Sequence, residues 1–191
     1  NCPTGRYLVD IATAKEKHIS EDQCLTCSKG TEYVDATTLC SICAAGTFQD
    51  QDNAAPAVCY DCKIGRYLID AATAQEKHDN KDKCLTCSKG TEYVNTTTLC
   101  SICSAGTFQS SNTVAPAVCQ SCDVGLFLTD DKEVAGKHDD INKCLICEPG
   151  SFTSSKGSAS CEICPGGRFE DAIPRVVCKT CPSGRFISDK G

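Results

Sequence analysis

Cys59-Tyr60-Asp61-Cys62-Lys63-Ile64-Gly65-Arg66-Tyr67 contains the pattern that organises the whole chain. Two cysteines flank a dipeptide, a glycine stands three residues after the second cysteine, and an aromatic follows it two residues later. Glycine adopts positive φ without penalty, so the stretch reads as a tight turn leading into a short strand with one ring. Working outward, this start or a one-residue variant occurs ten times, at Gly5, Gly30, Gly46, Gly65, Gly90, Gly106, Gly125, Gly150, Gly167 and Gly184. Every Tyr and Phe except Tyr60 belongs to one of these starts.

The cysteines give the period. Apart from Cys2, the 19 cysteines form C-x-x-C pairs, and Cys2, Cys62, Cys122 and Cys181 recur at intervals of about sixty residues. Self-similarity at a fixed period marks a repeat architecture. The expected boundaries are 1–61, 62–121 and 122–180, with 181–191 opening a fourth, truncated repeat. The first two copies are identical at about two-thirds of aligned positions. The third has drifted and carries an extra residue between Cys147 and Cys161. Each copy divides again into three pieces, one per turn, and no linker separates domains.

Composition agrees with this reading. The chain has 191 residues, no Trp or Met, and only 5 Tyr and 6 Phe. So few large apolar side chains leave a conventional core underfilled, and covalent crosslinks replace part of that burial. This cysteine density implies an oxidising, extracellular compartment. A net charge of −6 argues against nucleic acid and anionic membrane surfaces as partners. No apolar run approaches the ~18 residues that would span a bilayer. No signal peptide is visible and the first residue is not Met, so the expectation is a segment of a longer mature protein. The expected fold class is small and disulfide-rich, an elongated tandem array of short β-hairpin modules with little helix.

Locally, Arg66–Ile69 and Glu92–Val94 read as short strands bounded by turn residues. The stretch from Asp70 to Lys77 has helical propensity without an apolar stripe, enough for one turn at most. The Ser/Thr-rich stretches at 35–38, 95–98, 110–113 and 151–160 read as exposed loops.

Four readings of the cysteines compete. Each C-x-x-C can close on itself as a redox pair, but nine in tandem without a βαβ pattern speak against that. Pairs of C-x-x-C can hold zinc, against which stand the uniform repetition and the odd number of pairs. Successive pairs can interlock, first to first and second to second. Sequential pairing is the fourth reading and the one we expect: Cys2–Cys24, Cys27–Cys40, Cys43–Cys59, Cys62–Cys84, Cys87–Cys100, Cys103–Cys119, Cys122–Cys144, Cys147–Cys161 and Cys164–Cys178. Cys181 is then left unpaired, with its partner expected beyond Gly191. Each such loop removes about 3 kcal/mol of unfolded-chain entropy in the loop-closure model.

Tandem C-x-x-C-x-x-G-x-F/Y resembles the ephrin-receptor-like cysteine-rich repeat, a module in the style of growth-factor-receptor and tumour-necrosis-factor-receptor repeats. The stretches Lys17–Cys24 and Lys77–Cys84 are similar to versions in large surface proteins of algae and other protists, and the C-x-x-C rhythm to ciliate surface antigens. The resemblance covers the whole chain and implies an elongated extracellular array of hairpin units. The regular sixty-residue triplets depart from the three-disulfide grouping of tumour-necrosis-factor-receptor modules, so a cytokine-like ligand is not implied.

Candidate chemistry is sparse. His18, His78 and His138 occur once per copy, six residues before a pair. They can be a metal or pH-sensing set, but the expectation is a repeated loop residue. The acidic stretches Asp50–Asp52, Asp79–Asp82 and Asp139–Asp140 offer weak calcium sites, since none has the D-x-D-x-D-G spacing. No other cofactor, catalytic constellation, phosphate loop or enzymatic activity is expected. Asn95-Thr96-Thr97 is an N-glycosylation sequon, and Thr37, Thr38, Thr97, Thr98, Ser154 and Ser155 are weaker O-linked candidates.

These readings converge on a secreted or cell-surface structural repeat protein: a spacer, or a subunit of a glycosylated filament, surface coat or appendage that self-associates. At roughly 10–15 Å per module, ten modules would extend on the order of 100–150 Å, with the dipeptide inside C-x-x-C as a stiff hinge. The rival is a receptor or adhesin ectodomain that presents a protein or glycan ligand site, with Ile173–Val177 as its candidate face.

Overall fold

The computed structural model describes residues 1–9, 16, 19–130 and 133–185. It is a small, disulfide-rich tandem array of hairpins. Among the described residues are nine two-stranded antiparallel sheets, each strand two residues long. The chain forms two compact units. One is Asn1–Thr86 with Val94–Leu99, and the other is Cys87–Tyr93 with Cys100–Gly191.

Every hairpin has the same construction. The turn glycine, at φ between +77° and +90° in the ten motif positions, ends a turn whose outgoing strand is the next two residues. Arg66–Tyr67 follows Gly65 and pairs with Leu85–Thr86. Thr31–Glu32 follows Gly30 and pairs with Ser41–Ile42. The return strand is in each case the dipeptide inside a C-x-x-C. Those two residues are therefore paired strand and not a hinge between modules. A backbone bond closes seven of the hairpins, as where the Cys62 N–H donates to the Gly46 carbonyl at 2.7 Å.

Nine disulfides join the second cysteine of one pair, or Cys2, to the first of the next, from Cys2–Cys24 to Cys164–Cys178. Their Cα–Cα distances are 5.7–5.8 Å. Cys181 is free and half-buried. Cysteines dominate the core, joined by a few small or aliphatic side chains such as Leu68 and Leu128. In the first unit, Cys62, Cys84 and Leu68 form a buried cluster that Phe48 covers from the preceding module. In the second, Cys122, Cys144 and Leu128 cluster with Phe108 in the same way.

Among the described residues, helix is confined to single 3₁₀ turns, such as Glu21–Gln23, Gln75–Lys77 and Lys81–Lys83. Ser20 and Asn80 cap two of them by accepting from the N–H two residues on, the usual role of such caps. The strand after Gly65 stops at Tyr67, short of Ile69, because the Leu68 N–H donates to the Thr96 carbonyl of the next module. Within 151–160, Ser151–Phe152 is strand and Thr153 is buried, so only part of this stretch is exposed loop. No described helix is long and apolar enough to cross a membrane.

Candidate functional site: the module junction

Two repeated sets of main-chain contacts hold successive modules together. The first set runs to the next module. In the first unit, the Gly30 and Tyr33 amides donate to Gln49 and Ala57, and the Gly46 and Gln49 amides donate to Leu68 and His78. In the second unit, Gly90 and Tyr93 donate to Gln109 and Ala117, and Gly106 and Gln109 to Leu128 and His138. The donors are a turn glycine and the residue three positions later. A two-residue strand leaves these amides outside its own ladder, so each hairpin spends them on its neighbour.

The second set skips one module. A Cβ on Gly30 would lie 2.3 Å from the Gln75 carbonyl oxygen, and one on Gly90 2.0 Å from that of Ala135. A Cβ on Gly106 would meet the Gly157 oxygen at 2.0 Å. Gly5 and Gly125 face Pro56 and Pro174 in the same manner. These glycines are required twice, once by positive φ and once by the approach of another main chain.

A buried side-chain pin reinforces the junction. His78 is completely buried at the end of the Gln75–Lys77 turn. Its Nδ1 lies 2.8 Å from the Thr47 carbonyl in the preceding module, and its Nε2 lies 3.1 Å from Asp70 Oδ2. Asp70 also accepts from Lys77 Nζ at 2.9 Å, from Thr73 Oγ1 at 2.8 Å and from the Thr73 N–H at 3.0 Å. His138, Asp130 and Lys137 repeat the pin on Thr107. His78 and His138 are thus repeated loop residues, as expected, that are enclosed in the packing. His18 lies outside the described residues. The signal available in the sequence was the constant spacing of Asp10, Asp70 and Asp130 to the histidine eight residues on.

The Lys77 ammonium, then the Thr73 hydroxyl, hold the Asp70 carboxyl well below the usual carboxylate range. Lys137, then His138, lower Asp130. A carboxyl depressed in the folded state contributes stability that is complete above its unfolded value near pH 4 and is lost as pH falls toward its folded value. The denaturant midpoint is therefore expected to hold from neutrality to about pH 4 and to fall below it. Asp70→Asn should flatten that fall. Guanidinium titrations of both proteins between pH 6 and pH 2 check this, and a midpoint unmoved by acid would contradict it.

The other sequence-derived candidates are scattered. Asn95 Oδ1 accepts from the Thr97 N–H and Oγ1 in an exposed loop. Its first-copy counterpart Asp35 accepts from Thr37 and Thr38, and the Thr37 N–H leads in lowering its carboxyl. Thr37, Thr38, Thr97, Thr98, Ser154 and Ser155 are exposed. Ile173 and Val177 are exposed too. Between them, Pro174 packs on Gly125, and Arg175 Nη1 donates to the Cys147 carbonyl at 2.7 Å, so this segment serves as a clasp between modules. Among the described residues no three His, Cys, Asp or Glu side chains converge as metal ligands.

Residues 135–174 match the family model described as tyrosine-protein kinase ephrin type A/B receptor-like. The match and the nine sequential disulfides fit one architecture. It is a cysteine-rich repeat array, similar to ephrin-receptor-like repeats and of extracellular type. The chain is also 30% identical over 133 residues to mouse "Signal peptide, CUB and EGF-like domain-containing protein 2". The aligned part is 69% of this chain and 12% of that protein.

Proposed function

We propose that this chain is a structural element of a secreted or cell-surface protein, serving as a spacer or as a subunit of a filament or coat. The repeated junction is the observation that carries this reading. Modules are closed by one disulfide each, bonded through main-chain amides to the next and, at Gly5, Gly30, Gly90, Gly106 and Gly125, pressed against the one after. Main-chain interlocks of this kind resist bending and proteolysis, because opening one hairpin exposes amides on two others. The role needs no catalytic group. The likeness to the mouse protein, whose name includes a signal peptide and EGF-like domains, supports an extracellular location. We assign the duplicated units to 1–61, 62–121 and 122–180, with 181–191 beginning another. We assign N-linked glycan to Asn95, whose loop is exposed, and weaker O-linked sites to the Thr and Ser positions above.

Material secreted from its native source tests both parts. Electron microscopy should show filaments or a coat lattice, and N-glycosidase should lower the mass of the peptide containing Asn95. Isolated particles at all concentrations would overturn the assembly role, and an unmodified Asn95 would overturn the glycan assignment.

A further inference from the structure

Tyr60 is the one aromatic that no turn glycine precedes. It opens the return strand Tyr60–Asp61, directly opposite Phe48. Their ring centroids lie 6.5 Å apart with planes tilted by 48°. Phe48 covers the Cys62–Cys84 sulfurs, whereas Tyr60 is 53% exposed. The two rings form part of a recess of about 440 Å³, with Asp61, Lys63, Arg66, Lys81 and Asp82 around them.

Arg66 is fixed there, its Nη1 donating to the Cys84 carbonyl at 3.0 Å. Among the described residues, Lys63, Lys81, Asp61 and Asp82 have no salt-bridge partner. Three cations and two carboxylates thus converge without neutralising one another in pairs. The equivalent place sixty residues on, at the junction of the second and third copies, keeps the framework as Phe108 and Cys144. At the remaining positions it has Gln120, Ser121, Asp123, Leu126, Ile141 and Asn142. The hairpin and its crosslink therefore do not require the residues that line the recess.

We propose that this recess binds an acidic saccharide, a sugar ring bearing a carboxylate or a sulfate. The exposed phenol ring offers a platform for the C–H face of a pyranose. Lys63, Lys81 and the anchored guanidinium of Arg66 meet the anionic substituent. Asp61 and Asp82 accept from sugar hydroxyls, and they make the site unsuited to a plain polyanion. The volume lies within the ordinary range of ligand sites. The proposal is independent of the assembly role, and its failure would leave that role standing.

The test uses the full chain with its disulfides intact, titrated calorimetrically with trigalacturonate, a sulfated galactose trisaccharide, neutral galactotriose and triglutamate. At least one acidic sugar should bind, with the neutral sugar and the peptide about tenfold weaker or silent. Tyr60→Gln and the pair Lys63→Asp with Lys81→Ile install the residues found sixty positions on, and each should weaken binding by about tenfold. Intact mass verifies the nine crosslinks in every variant. Binding of neither acidic sugar, equal binding of galactotriose or triglutamate, or variants that bind as the parent does would each overturn the proposal.

Discussion

Gly90→Ala is expected to remove about 3 kcal/mol or more of stability from the second unit, whereas Gly167→Ala should remove only about 1–2 kcal/mol. The two glycines have the same φ, +77°, so the left-handed backbone penalty of about 1–2 kcal/mol is common to both. Their surroundings differ. A Cβ at position 90 would overlap the Ala135 carbonyl at 2.0 Å, while at position 167 nothing lies within 4 Å. A main-chain oxygen cannot swing aside as a side-chain tip does, so the Gly90 substitution must separate two modules or displace the Ala135–Lys137 turn. Denaturant unfolding of the oxidised protein, with amide exchange at Gly90 and Lys137 as the local readout, measures the difference. Equal costs at the two positions would mean that the close approach does not constrain the fold.

His78→Ala should be comparably damaging for a different reason. The ring is wholly enclosed, with its two nitrogens within hydrogen-bond distance of oxygens on two modules, so truncation leaves a cavity and an orphaned Thr47 carbonyl. Together these cost about 3–5 kcal/mol. The disulfides Cys43–Cys59 and Cys62–Cys84 remain closed, so the loss should appear as local opening and not as chain unfolding. The Gln49 amide, which donates to the His78 carbonyl at 2.9 Å, is the reporter, and its exchange should accelerate by at least a hundredfold, about 2.7 kcal/mol. Unchanged protection at Gln49 would show that the main-chain ladder alone holds the junction.

These two sites also show how far the residues could be read in advance. Cysteine spacing and the recurring glycine are one-dimensional signals. They expose the period, the turns and the hairpins because every partner involved lies within one loop. The contacts to the second module on use carbonyl oxygens of Gln75, Ala135 and Gly157, and a main-chain oxygen leaves no mark on residue type. The pin was half legible. Its Asp and His recur at fixed spacing, but their burial depends on Thr47 and Thr107, 31 residues away. The C-x-x-C dipeptide misled as a hinge because a strand of two residues, such as Tyr60–Asp61, shows no alternation.

The skipping contacts also impose a grammar on length. Loops of separation 22, 13 and 16 alternate in the first two copies. Glycines of the first kind face prolines of the third, Gly5 on Pro56 and Gly125 on Pro174. Those of the second kind face the first, Gly30 on Gln75 and Gly90 on Ala135, and Gly106 of the third faces Gly157 of the second. Deleting one hairpin between such a glycine and its partner would bring up a partner of the wrong kind, while deleting three in a row would restore the right kind. Such a chain can grow or shrink only in whole triplets, much as a reading frame tolerates changes only by threes.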